Sequence, residues 1–141
     1  MIIGQIKDGI VLDHITAGRS MEIYNILKLD RLDCTVALIQ NADSGKLTKK
    51  DIIKISTPMD LNLDVLGYVD PGITVNYIRD GKVAERRHLC LPERVVDIIK
   101  CKNPRCITSV EPSLDHIFKL ADEKRRVYRC IYCDAERTKN K

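Results

Sequence analysis

The chain has 141 residues, 44% hydrophobic and 31% charged, the balance of a folded globular protein rather than a disordered one. It holds no run of 18 apolar residues and no charged start leading into a long apolar stretch, so neither a membrane span nor secretion is signalled. The formal charge of +4 is uneven: residues 1–92 carry 12 Lys and Arg against 12 Asp and Glu, whereas residues 93–141 carry 12 against 8.

Two extended stretches, Ile2–Ile6 and Ile10–Ile15, are split by the turn signal Lys7-Asp8-Gly9. Ala17-Gly18 then opens a helix running to Leu29, with Met21, Tyr24 and Leu27 at helical steps and Ile23 and Ile26 widening the apolar face. Cys34–Gln40 reads as a strand, Asn41–Gly45 as a turn cluster and Lys50–Ser56 as a second strand. Thr57-Pro58-Met59-Asp60 predicts a helix start, with Thr57 as N-cap and Asp60 as its capping-box partner, and the helix stops near Gly67. Ile73–Arg79 and Val83–Leu89 form a hairpin across Asp80-Gly81.

From Ile10 to Arg79 the order is strand, helix, strand, strand, helix, strand. That is a ferredoxin-like antiparallel sheet with two helices on one face and the other face open to a ligand. Leu91–Ile99 reads as a short connecting helix with Pro92 in its first turn. The fold class is therefore α+β, with residues 1–91 as one domain and residues 92–141 as a small, β-rich, zinc-ribbon-like second one.

The second domain is organised by Cys101-x4-Cys106 and Cys130-x2-Cys133. Each short loop presents two thiols from one turn, and the intervening segment brings the turns together, as a tetrahedral zinc site requires. Lys102, Arg105 and Arg129 nearby favour the thiolate form. Two disulfides or a redox Cys-x-x-Cys are the competing readings, but two close pairs in one small basic segment suit a metal better. Four thiolates leave no open coordination position, so one structural zinc per chain is expected. Cys34 and Cys90 then read as small buried hydrophobes in a reducing cytosol.

Alternation within Lys50–Ser56 puts Lys50, Ile52 and Lys54 on one face and Asp51, Ile53 and Ile55 on the other. Two lysines flanking an apolar residue suit phosphates beside a base, or equally a solvated edge strand. Asp13-His14 is an acid–imidazole pair suited to a ribose; as strand neighbours pointing to opposite faces, the two make a poor catalytic couple. No Walker loop, G-x-G-x-x-G or G-x-S-x-G occurs, and no activated nucleophile is assembled, so no catalytic site is read. A zinc-ribbon nucleic-acid binder is the alternative that the basic second half suggests. Its aromatic residues for base stacking are only Phe118, Tyr128 and Tyr132, which disfavours nucleic acid.

Taken in order and spacing, Gly9–Ile15, Ser44-Gly45, Lys50–Ile55, Thr74–Asn76, Leu91–Arg94, the two cysteine pairs and Glu111-Pro112 form a specific set. Over about Ile2 to Tyr132 the sequence resembles the regulatory chain of aspartate carbamoyltransferase. The resemblance implies a non-catalytic, cytoplasmic subunit of pyrimidine biosynthesis. Its first domain is expected to bind the nucleoside triphosphate effectors CTP and ATP, and its zinc domain to dock on the catalytic chain. A regulatory-chain homodimer within a hetero-oligomer is the implied assembly. By the same resemblance, Asp13 and His14 match the ribose- and phosphate-side pair, Ile6 lies with its backbone against the base, and Lys54 contacts the nucleotide. Lys50 is its neighbour in the motif, while Asn76, Ile78 and Val83 line the pocket. Arg86 stands where the family has a lysine for the phosphates, offering two donors in a different geometry. Gly81 stands where other members place a tyrosine near the base, and the N-terminal arm is short.

Overall fold

The computed structural model describes residues 6–43, 45 and 48–138. The expected first strand therefore lies outside the described residues except for Ile6, as does Ser44 of the Ser44-Gly45 motif. Strand β1 (Gly9–Thr16) leads into helix α1 (Ser20–Ile26) and a 3-10 turn (Leu29–Arg31), followed by β2 (Val36–Asp43) and β3 (Lys49–Ile55). Helix α2 (Leu63–Val69) and the hairpin β4 (Thr74–Arg79) and β5 (Lys82–His88) complete the first sheet, ordered β2-β3-β1-β4-β5 with every pairing antiparallel. This is the expected ferredoxin-like arrangement with β5 added at one edge. Asp80 (φ 52°) and Gly81 (φ 76°) both take the left-handed conformation that a two-residue hairpin turn demands.

The helix side of this sheet is a continuous aliphatic layer: Ile10, Leu12, Ile15, Ile53, Ile55 and Val75 have no solvent exposure. Strict alternation would have put His14 there and Ile15 outside. Instead β1 bulges against β3, two residues opposing one between Leu12 and Ile15, and His14 takes φ 59°. The bulge ejects the imidazole to solvent and returns Ile15 to the core. It also removes the basis for placing Asp13 and His14 on opposite faces, since the imidazole Nδ1 lies 3.9 Å from the Asp13 carboxylate.

A second bulge in β2, with Asn41 at φ 58°, turns the expected turn residues Asn41–Asp43 into strand. Buried Asp51 ties the β2 bulge to the start of α1. Its carboxylate accepts from the backbone N–H groups of Gly18 (3.0 Å), Ser20 (3.1 Å) and Asn41 (3.0 Å), so a neighbouring strand supplies the cap that α1 lacks of its own. Burial raises the Asp51 pKa, but these hydrogen bonds outweigh it and the net shift is downward.

Two expected helix boundaries are corrected. α2 begins at Leu63, not after Thr57: Asn62 is the N-cap, accepting from the Val65 N–H at 3.2 Å. Residues 57–62 pass instead as irregular chain that lays Met59 and Leu61 against the core. Gly67 does not end the helix, which runs on to Val69; a Cβ at Gly67 would sit 2.3 Å from the Cys90 carbonyl oxygen, so the glycine admits a passing backbone.

The expected connecting helix over Leu91–Ile99 is absent. The centre of that segment is strand β6 (Arg94–Val96), because its backbone groups find partners on a neighbouring strand: Glu93 O accepts from Leu120 and the Asp97 N–H donates to His116 O. β6 joins β7 (Ile117–Asp122), β8 (Val127–Cys130) and β9 (Glu136–Thr138) in a second antiparallel sheet, ordered β6-β7-β8-β9, and a four-residue helix α3 (Ile107–Val110) sits between β6 and β7. Val95, Phe118 and Cys130 are register partners on its buried side. The two sheets do not have separate cores. Tyr68 of α2 meets Tyr128 of β8 edge-on, with ring centres 5.2 Å apart, and the Tyr128 hydroxyl donates to Pro92 O at 2.7 Å. Of the two spare cysteines, Cys34 is half-buried and Cys90 exposed, so only the first fits the expected buried role. Among the described residues no helix is long and apolar enough to cross a membrane.

Candidate functional site

The four cysteines arrive from four different local structures. Cys101 follows the β6 segment, Cys106 precedes α3, Cys130 ends β8 and Cys133 lies in the following turn. Their sulfurs all lie within 4.8 Å of one another, with Cys101–Cys133 at 3.6 Å and Cys106–Cys130 at 3.7 Å. Zinc–sulfur bonds of about 2.3 Å in a tetrahedron require sulfur separations of about 3.8 Å, so the cluster fits a structural zinc held by all four thiolates.

The loops are fixed by their own backbone bonds, Cys106 N–H to Asn103 O at 3.0 Å and Asp134 N–H to Cys130 O at 2.8 Å. Burial pushes the Cys101 thiol up to about 12 and also raises Cys130. Cys106 moves the other way, to about 7, chiefly because the buried Thr108 hydroxyl donates to its sulfur at 3.1 Å. A divalent cation among four such groups displaces their protons, and Thr108 marks the sulfur already prepared to lose one. The expected help from Arg129 goes elsewhere: its guanidinium is taken by Asp134 and Glu136. Two supporting residues were missed from sequence, Thr108 and His116, whose Nδ1 accepts from the Cys101 N–H at 3.2 Å. Only the position of Thr108, two residues past a cysteine, carried any signal.

The second candidate lies on the open side of the first sheet. Register pairs Lys54 with Val11, Val11 with Asn76 and Asn76 with Arg86, so these side chains share one face in a row across four strands. Arg86 donates to the Asn76 side-chain oxygen at 2.8 Å, and among the described residues neither Arg86 nor Lys54 has an ion-pair partner. One step along the strands, Gly9 pairs with Ile78 and Ile78 with Val83. Ile6 folds back over Gly9 so closely that a Cβ there would lie 2.9 Å from its side chain. This end is apolar.

At the opposite end Asp13 takes an ion pair from Lys50 at 2.9 Å and the His14 N–H at 2.7 Å. Its burial opposes ionisation, yet Lys50 and His14 together hold its pKa below the ordinary value. Lys50, given only as a neighbour of the site, is thus what fixes Asp13. The face as a whole joins an apolar end, two unneutralised cations and an acid whose oxygens can accept further hydrogen bonds. His14 is exposed at its rim.

Comparison with known proteins covers both regions. The family model described as aspartate carbamoyltransferase regulatory chain, allosteric domain, matches residues 1–90, and that for the metal binding domain of the same chain matches residues 93–141. The sequence is 54% identical over 134 residues to an aspartate carbamoyltransferase regulatory chain of Clostridium acetobutylicum, covering 95% of this chain and 92% of the relative. A relative of the same name from Clostridium tetani is 50% identical over 95% of this chain and 94% of its own. One from Bifidobacterium longum is 45% identical over 96% of this chain and 98% of its own. The chain belongs to the aspartate carbamoyltransferase regulatory chain family, non-catalytic proteins that pair an allosteric domain with a metal-binding domain.

Proposed function

We propose that residues 1–91 bind the nucleoside triphosphates CTP and ATP on the open face of the first sheet, and that residues 92–141 dock on the catalytic chain of aspartate carbamoyltransferase. In this reading the base lies against Ile6, Ile78 and Val83, the ribose is met by Asp13 with His14 beside it, and the phosphates lie at Lys54 and Arg86, with Asn76 orienting Arg86. The observation that carries it is the presence of two cations without carboxylate partners on a bare sheet face, in a chain of this family. In the same reading the chain pairs with a second copy as a homodimer within a hetero-oligomer, in the cytoplasm, where thiolates stay reduced for a metal, and its role there is effector control of pyrimidine biosynthesis.

The test is nucleotide-dependent stability of the full chain. CTP or ATP at about a hundred times its dissociation constant adds roughly 2.7 kcal/mol to the native state. Lys54→Ala removes most of that shift while leaving the nucleotide-free melting curve nearly unchanged. A wild-type melting curve that does not move at millimolar nucleotide overturns the effector site.

A further inference from the structure

His88 ends β5 and lies on the same open face as Arg86, two positions further along the edge strand. Register carries its row inward: His88 stands opposite Thr74 and Thr74 opposite Asp13, one row beyond that of Lys54, Val11, Asn76 and Arg86. Thr74 is 5% exposed, and its hydroxyl lies 3.4 Å from His88 Nδ1. A hydroxyl donates to that nitrogen when it is bare and accepts from it when it is protonated, so the contact holds the ring in both charge states. The ring itself is exposed, and the nitrogen left over for a ligand is Nε2. Among the described residues His88 has no ion-pair partner.

The charges around the ring favour an anion. On its own strand Arg86 shares its face, whereas Arg87 points to the helix side, where Glu85 holds it. On β4 the facing residues are Thr74 and Asn76, neither of which ionises. Beyond them on β1 stands Asp13, already bound by Lys50 at 2.9 Å and with His14 beside it, and Lys54 lies further across on β3. The ring therefore stands next to a free cation, and the nearest carboxylate in its row has its charge met.

We propose that His88 Nε2 binds the terminal phosphate of the nucleotide, so that this residue sets a preference for nucleoside triphosphates over diphosphates and strengthens it as the imidazole takes up a proton. The proposal rests on the reading that the open face binds nucleotide, and it assigns the far end of the phosphate chain. The order along the sheet carries it. The apolar end at Ile78 and Val83 takes the base, Arg86 comes next along β5, and His88 lies beyond it. Residues two apart on a strand are about 6.8 Å apart, so a phosphate chain that runs from Arg86 along the edge arrives at His88. A neutral ring offers one N–H donor, and a protonated ring makes a charge-assisted bond that is worth about tenfold more in affinity.

The experiment measures binding of CTP and CDP to the full zinc-loaded chain by calorimetry at about pH 8 and about pH 6, between which imidazoles gain their proton. On going to the lower pH, the ratio of CTP to CDP affinity in the wild type rises by about tenfold relative to that in His88→Asn. The nucleotide's own terminal phosphate also gains a proton in this range, but that change is common to both proteins and cancels in the comparison. Asparagine keeps a polar atom near the place of Nδ1 for Thr74 and loses Nε2, so the nucleotide-free melting curve stays close to that of the wild type. His88→Lys, a cation at both pH values, restores the preference and removes its pH dependence; it carries the comparison should His88→Asn melt early. Equal ratios in wild type and His88→Asn, including the case where the variant weakens both nucleotides alike, mean that His88 does not meet the terminal phosphate although the effector site stands. Unequal ratios that move in parallel with pH overturn the proton's part in it. If the wild type binds neither CTP nor CDP, the effector reading fails and takes this proposal with it.

Discussion

The two sheets of this chain are both antiparallel, and they are held together by different physics. The first buries a layer of Ile10, Leu12, Ile15, Ile23, Ile53, Ile55, Leu66 and Val75 without solvent exposure, beneath two helices. Each such side chain is worth about 1.5–3 kcal/mol of burial, so the layer is enough to define the sheet without a ligand. The second has Val95, Phe118, Val127 and Tyr128 and otherwise cysteines. A segment of about fifty residues with so few apolar side chains does not fold on burial alone, and the metal supplies the difference. The join between them is a third thing again, a pair of tyrosine rings and a glycine where backbones cross. Each region therefore has its own way of failing.

Removing the metal has the largest expected effect. Binding free energies of about 10–16 kcal/mol for structural zinc are folding energy for a domain of this kind. Chelation or mercurial titration of the cysteines unfolds β6–β9, while β1–β5 persist with a lowered melting temperature because Tyr68 loses its cover. Hydrogen exchange resolves the two outcomes by region. Loss of protection in Thr74–Arg79 together with that in Val127–Cys130 makes the sheets one cooperative unit and dissolves the contrast drawn above.

Asp51→Ala attacks only the first sheet. It strands the backbone N–H groups of Gly18, Ser20 and Asn41, at a cost of about 3 kcal/mol, without changing zinc content. The same carboxylate sets a pH signature with Asp13. Both have folded pKa values below the ordinary 3.8, so the stability they contribute is fully present above that value and is lost as pH falls through their folded values. Denaturant titrations between neutral pH and about pH 3 show the wild type losing stability below pH 4, and Asp51→Ala losing less. Equal losses in the two proteins would take Asp51 out of this account.

How much of this was legible in the sequence follows the same divide. The cysteine pairs were readable because metal geometry demands short spacings that the chain must display. The register that gathers Lys54, Asn76 and Arg86 was half readable: alternation gave the face of β3 correctly, but counting from the Asp80-Gly81 turn sets Asn76 opposite Glu85, and only a bulge between Tyr77 and Ile78 brings Arg86 there instead. The β2 bulge and the cap of α1 were not readable, because the one carboxylate that serves both comes from β3, thirty-odd residues after the helix it caps. Thr57-Pro58 satisfied every local rule for a helix start, yet Asn62 won, since the core claims Met59 and Leu61 first. Leu91–Ile99 was taken from helix to strand by β7, a partner that periodicity in one segment cannot reveal.

The join offers a smaller effect. Gly67→Ala gains helix propensity of up to about 1 kcal/mol, but its Cβ would meet the Cys90 carbonyl oxygen at 2.3 Å, and the backbone there must move. Overpacking of about 1–3 kcal/mol outweighs the gain, for a net loss of about 1–2 kcal/mol. The strain falls on the segment between the sheets, so it perturbs the Tyr68–Tyr128 pair. With no tryptophan in the chain, near-ultraviolet circular dichroism reads the tyrosines directly. A variant with wild-type stability and an unchanged tyrosine signal means that the linker yields freely at Cys90.

Tyr128→Phe is the mildest change and the sharpest test of the join. The ring stays, so the edge-on contact with Tyr68 survives; only the hydroxyl donated to Pro92 O at 2.7 Å is lost. That hydroxyl is buried enough that its pKa is pushed up to about 12, so it stays a donor across the working range of pH and its loss is not masked by ionisation. A buried neutral hydrogen bond contributes about 1 kcal/mol, and the orphaned carbonyl here lies on the segment leading into β6. If the two sheets are coupled through this contact, the loss appears in both: zinc leaves faster on challenge with a chelator, and the first sheet melts slightly earlier. The hydroxyl matters only to its own sheet if zinc release quickens while the melting of β1–β5 is unmoved, and coupling must then run through the edge-on rings alone. Tyr68→Leu separates that case, because it removes the ring contact, leaves the Pro92 bond, and lowers the stability of both sheets only when the rings carry the coupling.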